Sequence, residues 1–223
     1  IQLNNSIGYS RGNYSLETRQ SVFYSNQSYS NPISDILDTN FSNGSSLEFI
    51  NIWKWGNLSL SNQSQVQYFA ISGQNKPDTG ITAISNLTSL THLISEGRYI
   101  ILYNKTSYQN LINGIGGSSP GLQFFMERRK RELDIHLKRI FRLPTMNDLF
   151  WSPGGNPNLI PESGWDLKTS FSLQNKHNIF KFEAFAGRLN NGIIWRPNGI
   201  FWQPINEFLI TRYGINSSWQ VKW

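Results

Sequence analysis

The chain has 223 residues, no cysteine and a formal net charge of +6 at pH 7. The lack of cysteine excludes a disulfide framework, a thiolate metal site and a cysteine nucleophile. The three histidines lack the spacing of metal ligands, and no apolar run reaches the roughly 18 residues of a membrane-spanning helix. The length is that of a single all-β unit, which is what we expect. The cysteine and histidine content leads us to expect no cofactor and no metal.

The first half of the chain alternates apolar and polar residues with a period of two, which is typical of β-strands with one apolar face. Gly12-Asn13 and Gly56-Asn57 separate alternating runs and predict tight hairpin turns. Polar segments at 30–44 and 72–82 predict long loops. The run 84–94 fits both strand and helix spacing, and the turn at Glu96-Gly97 favours a strand.

The second half continues this pattern. Alternating runs flank the basic segment 128–131 and the segment 175–178, which predicts two further short turns, while 110–120, 141–165 and 189–208 predict long loops. The basic segment reads as a solvated turn, so we expect no nucleic-acid partner.

The pattern gives about eleven strands of about ten residues, joined alternately by short and long connections. Such regularity is typical of an antiparallel up-and-down transmembrane β-barrel, with short turns on the periplasmic side and long loops outside. Several tryptophans fall near strand ends, where an aromatic girdle would place them, although they could also fill the core of a β-sandwich. They are Trp53, Trp55, Trp165, Trp219 and Trp223.

One stretch, 141–165, departs from alternation and reads FRLPTMNDLFWSPGGNPNLIPESGW. Its four prolines each fix φ and remove a backbone donor, so neither an ordinary helix nor a central strand is expected to run through it. We predict a long loop that is ordered without ligand. Asp148 is expected to accept local backbone hydrogen bonds in an Asx-type turn. Arg142, at the strand–loop junction, shares the parity of Asp134, His136 and Lys138, which we assign to the barrel lumen.

The letters RLPTMNDLFW…GNPNLIPE in this stretch resemble a signature of TonB-dependent outer-membrane receptors, especially the cobalamin-receptor-like members of Bacteroidetes. The residues that carry the resemblance are Arg142, Pro144, Asn147, Asp148, Gly155, Asn156, Pro157, Pro161 and Glu162. The resemblance implies that residues 1–223 are an internal piece of a larger receptor barrel of about 22 strands, without its plug domain.

The resemblance further implies a transporter without enzymatic activity in the bacterial outer membrane. Its partners would be membrane lipid, a small-molecule ligand such as cobalamin or an iron chelate, and the TonB complex acting through the plug. The expected ligand contacts are aromatic side chains of the loops, which could instead pack the loops together. They are Phe150, Trp151, Trp195, Phe201 and Trp202. A passive porin, a barrel adhesin or a soluble β-rich binding module remain the alternatives.

Overall fold

The computed structural model describes residues 2–31, 36–73, 76–110, 114–151 and 154–221. Eleven strands and one short helix make up this part of the chain. They are β1 (Gln2–Arg11), β2 (Tyr14–Asn31), β3 (Ile36–Trp55), β4 (Leu58–Gly73), β5 (Lys76–Ser95), β6 (Arg98–Gln109), β7 (Ile115–Arg128), β8 (Arg131–Arg142), α1 (Met146–Phe150), β9 (Glu162–Gln174), β10 (Asn178–Asn198) and β11 (Phe201–Val221). Within the described ranges, the structure has no helix of the length and apolarity needed to cross a membrane.

All eleven strands form one antiparallel sheet in which strand order follows chain order. This confirms the predicted up-and-down topology and the strand assignment of 84–94. The predicted short turns are also present: Gly12 and Gly56 have φ of 56° and 53°, values that glycine adopts without steric cost. Arg129 and Lys130 form the exposed turn between β7 and β8, as expected of the basic segment.

The long loops are where the sequence-based expectation is wrong. Residues at 30–44, 72–82, 110–120 and 189–208 lie mostly in strands, and β10 and β11 reach 21 residues each instead of about ten. The ladder between β10 and β11 continues to Asn198↔Phe201, so a turn at Gly199 replaces the predicted loop. The sequence of these extensions mixes polar and apolar residues without a period of two, so alternation disappears although backbone pairing continues. Within the first three segments, residues 32–35, 74–75 and 111–113 lie outside the described residues.

The pairing register divides the strand residues into two faces. The inner face carries polar and charged side chains that contact each other between strands of the sheet. Examples are Arg19 Nη1 to Glu48 Oε2 at 3.5 Å, Gln123 Nε2 to Asp134 Oδ2 at 3.0 Å, and Arg212 Nη2 to Asp166 Oδ1 at 2.8 Å. The imidazole of His136 pairs with the Tyr103 hydroxyl on the same face. By register, Arg142 extends this face, as predicted.

The outer face carries exposed apolar side chains. Leu137 pairs with Leu167, and both are about two-fifths exposed, at 41% and 42%. Leu133 pairs with Phe171 on the same face, which confirms that these predicted lipid-facing residues lie together. Trp53, Trp55, Trp165 and Trp219 have outer-face parity, whereas Trp223 lies outside the described residues. Apolar side chains thus face outwards and polar ones inwards, the reverse of a soluble domain.

We predict that Ile135→Arg, on the outer face, lowers the free energy of unfolding by roughly 2 to 4 kcal/mol, the cost of a cation near the bilayer midplane. Lys138→Gln, three residues away on the inner face, serves as the control and should cost less than about 0.5 kcal/mol. Denaturant titration of the protein refolded into lipid vesicles measures both values. Equal losses of unfolding free energy at the two positions would contradict the assignment of the faces, and a larger loss at Lys138 would reverse it.

Candidate functional site

The irregular segment between β8 and β9 is shorter than the sequence indicates and spans 143–161. It contains the one-turn helix α1, which the sequence did not predict. A helix of five residues can form here because it fits between Pro144 and the proline at position 153, which would interrupt a longer one. Thr145 caps this helix. Its side chain accepts from the Asp148 amide at 3.2 Å, and Asp148 Oδ2 accepts from the Thr145 amide at 2.9 Å. The reciprocal pair is a capping box and takes the place of the predicted Asx-type turn.

Arg142 joins two buried carboxylates at the loop end of β8. Its Nε and Nη2 donate to Glu162 at 2.5 and 2.9 Å, and its Nη1 lies 3.4 Å from Asp148 Oδ2. The side chains of Asp148 and Glu162 are only 8% and 7% exposed. The fork-like contact with Glu162 and the ion pair with Asp148 place the guanidinium, which is always a cation in proteins, between the two carboxylates.

Two hydrogen-bond donors of β10 also contact these carboxylates. The Trp195 indole N–H donates to Asp148 Oδ1 at 3.2 Å, and the Ile193 amide donates to Glu162 Oε1 at 2.6 Å. We call Arg142, Thr145, Asp148, Glu162 and Trp195 the carboxylate network. It connects β8, α1, β9 and β10, so it holds the loop against the inner face of the sheet.

The second half of the loop lies against the hairpin of β10 and β11. Asn156 Nδ2 donates to the Pro204 carbonyl at 3.0 Å, and Asn206 Oδ1 accepts from the Ile160 amide at 2.9 Å. A Cβ on Gly154 would lie 1.9 Å from the Trp202 carbonyl oxygen, so only glycine allows this close approach.

A small apolar core lies beneath this half of the loop. It consists of Leu149, Leu159 and Ile193, which are 2%, 5% and 9% exposed. Of the remaining signature residues, Pro144 is buried, Gly155 and Pro161 are half-buried, and Asn147 and Pro157 are exposed. The Asn147 carbonyl accepts from the Trp151 amide at 3.1 Å.

Some of the aromatic residues predicted as ligand contacts pack inside the fold, and others lie at its open surface. Phe150 packs against the apolar core, and Trp195 donates to Asp148, so both have contacts inside the fold. Trp151 and Trp195 line an open depression of about 480 Å³ together with Arg142, Thr145, Asn147 and Asp148. Trp202 is 59% exposed at the start of β11, next to the half-buried Phe201.

A second cavity of about 450 Å³ lies between the start of α1 and the inner face of β2 to β6. Apolar side chains dominate its lining, and none of the described residues that line it is charged. The lining includes Phe23, Phe69, Ile81, Met146, Asn147 and Gln109. The loop thus bounds a partly open cavity on the inner face and does not simply extend away from the strand ends.

Sequence reasoning missed Thr145, Ile193 and Asn206 as parts of this site. The Thr145-x-x-Asp148 spacing is a readable helix-cap signal and could have revealed both α1 and the cap. Asn206 carries no such signal, because its contacts with Ile160 depend on how the loop meets a distant hairpin.

Comparison with known proteins points to one architecture. No family model matches the chain. It is 31% identical over 71 residues to the vitamin B12 transporter BtuB of Photobacterium profundum, an alignment that covers 30% of this chain and 12% of the transporter. The BtuB of Vibrio vulnificus is 32% identical over 68 residues, which cover 30% and 11% of the two chains.

The solved structures show the fold. The chain matches the copper transporter OprC with a TM-score of 0.75 at 10% identity, covering 100% of this chain and 43% of OprC. The apoprotein FrpB iron transporter of Neisseria meningitidis gives 0.74 at 8% identity, covering 100% and 42%. The siderophore receptor PirA of Pseudomonas aeruginosa gives 0.62 at 10% identity, covering 97% and 53%.

The chain therefore has the fold of an outer-membrane transport barrel. More particularly, its eleven-stranded sheet has the architecture of the barrels of TonB-dependent receptors. It spans less than half the length of the first two solved structures that it matches.

We predict that Arg142→Ala lowers the free energy of unfolding by about 3 kcal/mol, because two buried carboxylates lose their counter-ion. Arg142→Lys should recover only part of this loss, since an ammonium cannot reproduce the fork-like contact with Glu162.

The matched control for this prediction is Arg196→Ala. Arg196 pairs with Glu207 on the β10–β11 hairpin, where both side chains are well exposed, and its loss should cost about 0 to 1 kcal/mol. Unfolding midpoints in detergent micelles measure all three variants. A loss for Arg142→Ala no larger than that for Arg196→Ala would contradict an anchoring role of the carboxylate network.

Proposed function

We propose that this chain forms part of the barrel of a receptor in the bacterial outer membrane. The receptor would bind a scarce nutrient from outside, either cobalamin or an iron chelate, and import it with energy supplied by the TonB complex. The observation that carries the proposal is the loop 143–161, pinned to the inner face of a wall whose outer face is apolar. Catalysis plays no part in it.

An anchored inner loop favours a receptor over a passive porin. The carboxylate network fixes the loop by contacts to three strands, and the loop bounds two cavities on the inner face. A pore for free diffusion needs an open lumen, whereas selective binding needs ordered side chains held in place by their neighbours.

The outer face argues against a soluble binding module. Leucine, isoleucine and valine side chains are exposed along most strands, including Leu102 at 52% and Val66 at 43%. Contiguous exposed apolar surface of this kind needs a lipid or protein environment. Fractionation into the outer membrane is the corresponding expectation.

Trp151 and Trp202 are the ligand contacts that we favour among the five aromatic candidates. Trp151 lines the open depression. Trp202 is mostly exposed, and its carbonyl lies against Gly154, three residues after Trp151 in the same loop. Exposed indole rings supply large contact area with little conformational entropy to lose. Phe150, Trp195 and Phe201 would support these two from behind.

The decisive experiment measures uptake of radiolabelled cyanocobalamin and of a ferric siderophore by cells that express the full receptor, with and without functional TonB. We expect one of the two probes to accumulate only when TonB is functional. Uptake that is independent of TonB would favour a porin, and retention at the surface without import would favour an adhesin.

We predict that Trp151→Ala weakens binding of the transported probe by about tenfold, a value typical of an aromatic contact residue, while surface expression stays unchanged. Trp219→Ala is the control, because Trp219 is 73% exposed on the outer face. Probe binding to intact cells gives the dissociation constants. An unchanged constant for Trp151→Ala would remove this residue from the binding site.

A further inference from the structure

The outer face contains a group of amide and hydroxyl side chains where apolar residues are expected. We call this group the polar island. Its members lie side by side on four neighbouring strands and are Asn51, Asn62, Ser64, Asn86, Thr88 and Asn104. All six are half-buried, and none is charged.

Apolar outer-face residues enclose the island at both ends of the same strands. On β3, Trp53 and Phe49 flank Asn51, and on β4, Leu60 and Val66 flank the pair Asn62 and Ser64. On β5 the flanking residues are Leu90 and Ile84. On β6, Leu102 precedes Asn104, and the exposed Thr106 lies between Asn104 and Tyr108. The island therefore lies within the apolar belt and not at its border with water.

The centre of the island is internally satisfied. Asn62 Nδ2 donates to Thr88 Oγ1 at 2.9 Å, and Asn86 Nδ2 donates to Ser64 Oγ at 2.8 Å. The two hydroxyls donate in turn to the amide oxygens, Ser64 to Asn62 at 3.1 Å and Thr88 to Asn86 at 3.0 Å. This closed ring explains how four polar side chains persist in an apolar setting.

The two flanks of the island are only partly satisfied. Asn51 Oδ1 accepts from the Tyr14 hydroxyl at 2.9 Å, and Asn104 Oδ1 accepts from Ser118 Oγ at 3.1 Å. The amide N–H groups of Asn51 and Asn104 donate no hydrogen bond within the described part of the chain. Lipid chains offer no acceptor, so these donors need a protein surface with acceptors at the same depth.

We propose that the polar island is a contact surface between two copies of this chain within the membrane. Amides and hydroxyls both donate and accept, so the island is complementary to itself, and without charges it meets no like-charge repulsion in a second copy. A two-fold axis along the membrane normal keeps every residue of both copies at equal depth. A different protein would need a matching polar group at that depth independently. The proposal rests on the outer-membrane setting proposed above.

The first test measures the fraction of dimers of the full receptor in lipid nanodiscs by native mass spectrometry. We expect dimers for the unaltered receptor. Replacing the two flanking amides, Asn51→Leu with Asn104→Leu, should raise the dimer dissociation constant roughly tenfold, since polar contacts in membranes contribute modestly each. A monomeric receptor, or a dimer that the double substitution leaves unchanged, overturns the proposal.

A second variant keeps the test valid if the double substitution prevents folding. This chain has no cysteine, so Ser64→Cys places one thiol in the island, and Thr169→Cys places one on the outer face of the distant β9 as a control. Treatment of outer membranes with a short bismaleimide should link two receptors through position 64 and not through 169. A link from 64 to a protein of another mass, or no link, contradicts the second-copy assignment.

The outcomes also separate this proposal from the proposed function. A receptor missing from the outer-membrane fraction would refute both. A receptor that imports its probe through TonB and remains monomeric would refute only the contact between copies.

Discussion

A backbone that crosses hydrocarbon must pair every amide and carbonyl within the protein, because lipid offers no partner. The antiparallel ladder joins β1 to β11 in chain order and supplies this pairing between each strand and its sheet neighbours, without a crossover. It continues beyond the apolar belt, as the pairing from Asn178↔Val221 to Asn198↔Phe201 shows. Since the ladder occupies the strand backbone, contacts with other molecules are left to side chains and to the irregular segment 143–161.

That irregular segment, 143–161, cannot use the ladder and satisfies its polar groups partly through local backbone hydrogen bonds and partly through side chains. The Asp148 carboxylate accepts hydrogen bonds from the Thr145 amide and the Trp195 indole. The Asn206 side chain accepts from the Ile160 amide and donates to the Ile160 carbonyl. Burying the carboxylates of Asp148 and Glu162 is costly unless a cation compensates them. Arg142 supplies that cation from the end of β8, so the position of the loop depends on a residue that belongs to the sheet.

Period-two alternation could predict strand number, topology and the two faces, because burial in lipid acts on every second side chain. It could not predict strand length. Ser30↔Leu37 belongs to a continuing ladder, yet the sequence around it mixes polar and apolar residues without a period of two. The role of Trp195 was hidden for another reason. Its partner Asp148 lies 47 residues away, so composition suggested a ligand contact where the structure has an internal hydrogen bond.

Two sets of polar groups in this fold are removed from water, and they differ in how completely the chain compensates them. Asp148 and Glu162 find Arg142, a capping hydroxyl and backbone donors within the chain, so their effect is to make the loop rigid. The polar island is satisfied at its centre, but among the described residues the amide donors of Asn51 and Asn104 find no acceptor. Complete compensation needs no second molecule, whereas incomplete compensation inside an apolar belt does. The two places where the sequence departs from alternation therefore differ in role. The carboxylate network anchors a loop within the chain, whereas the polar island is left with donors for a contact outside it.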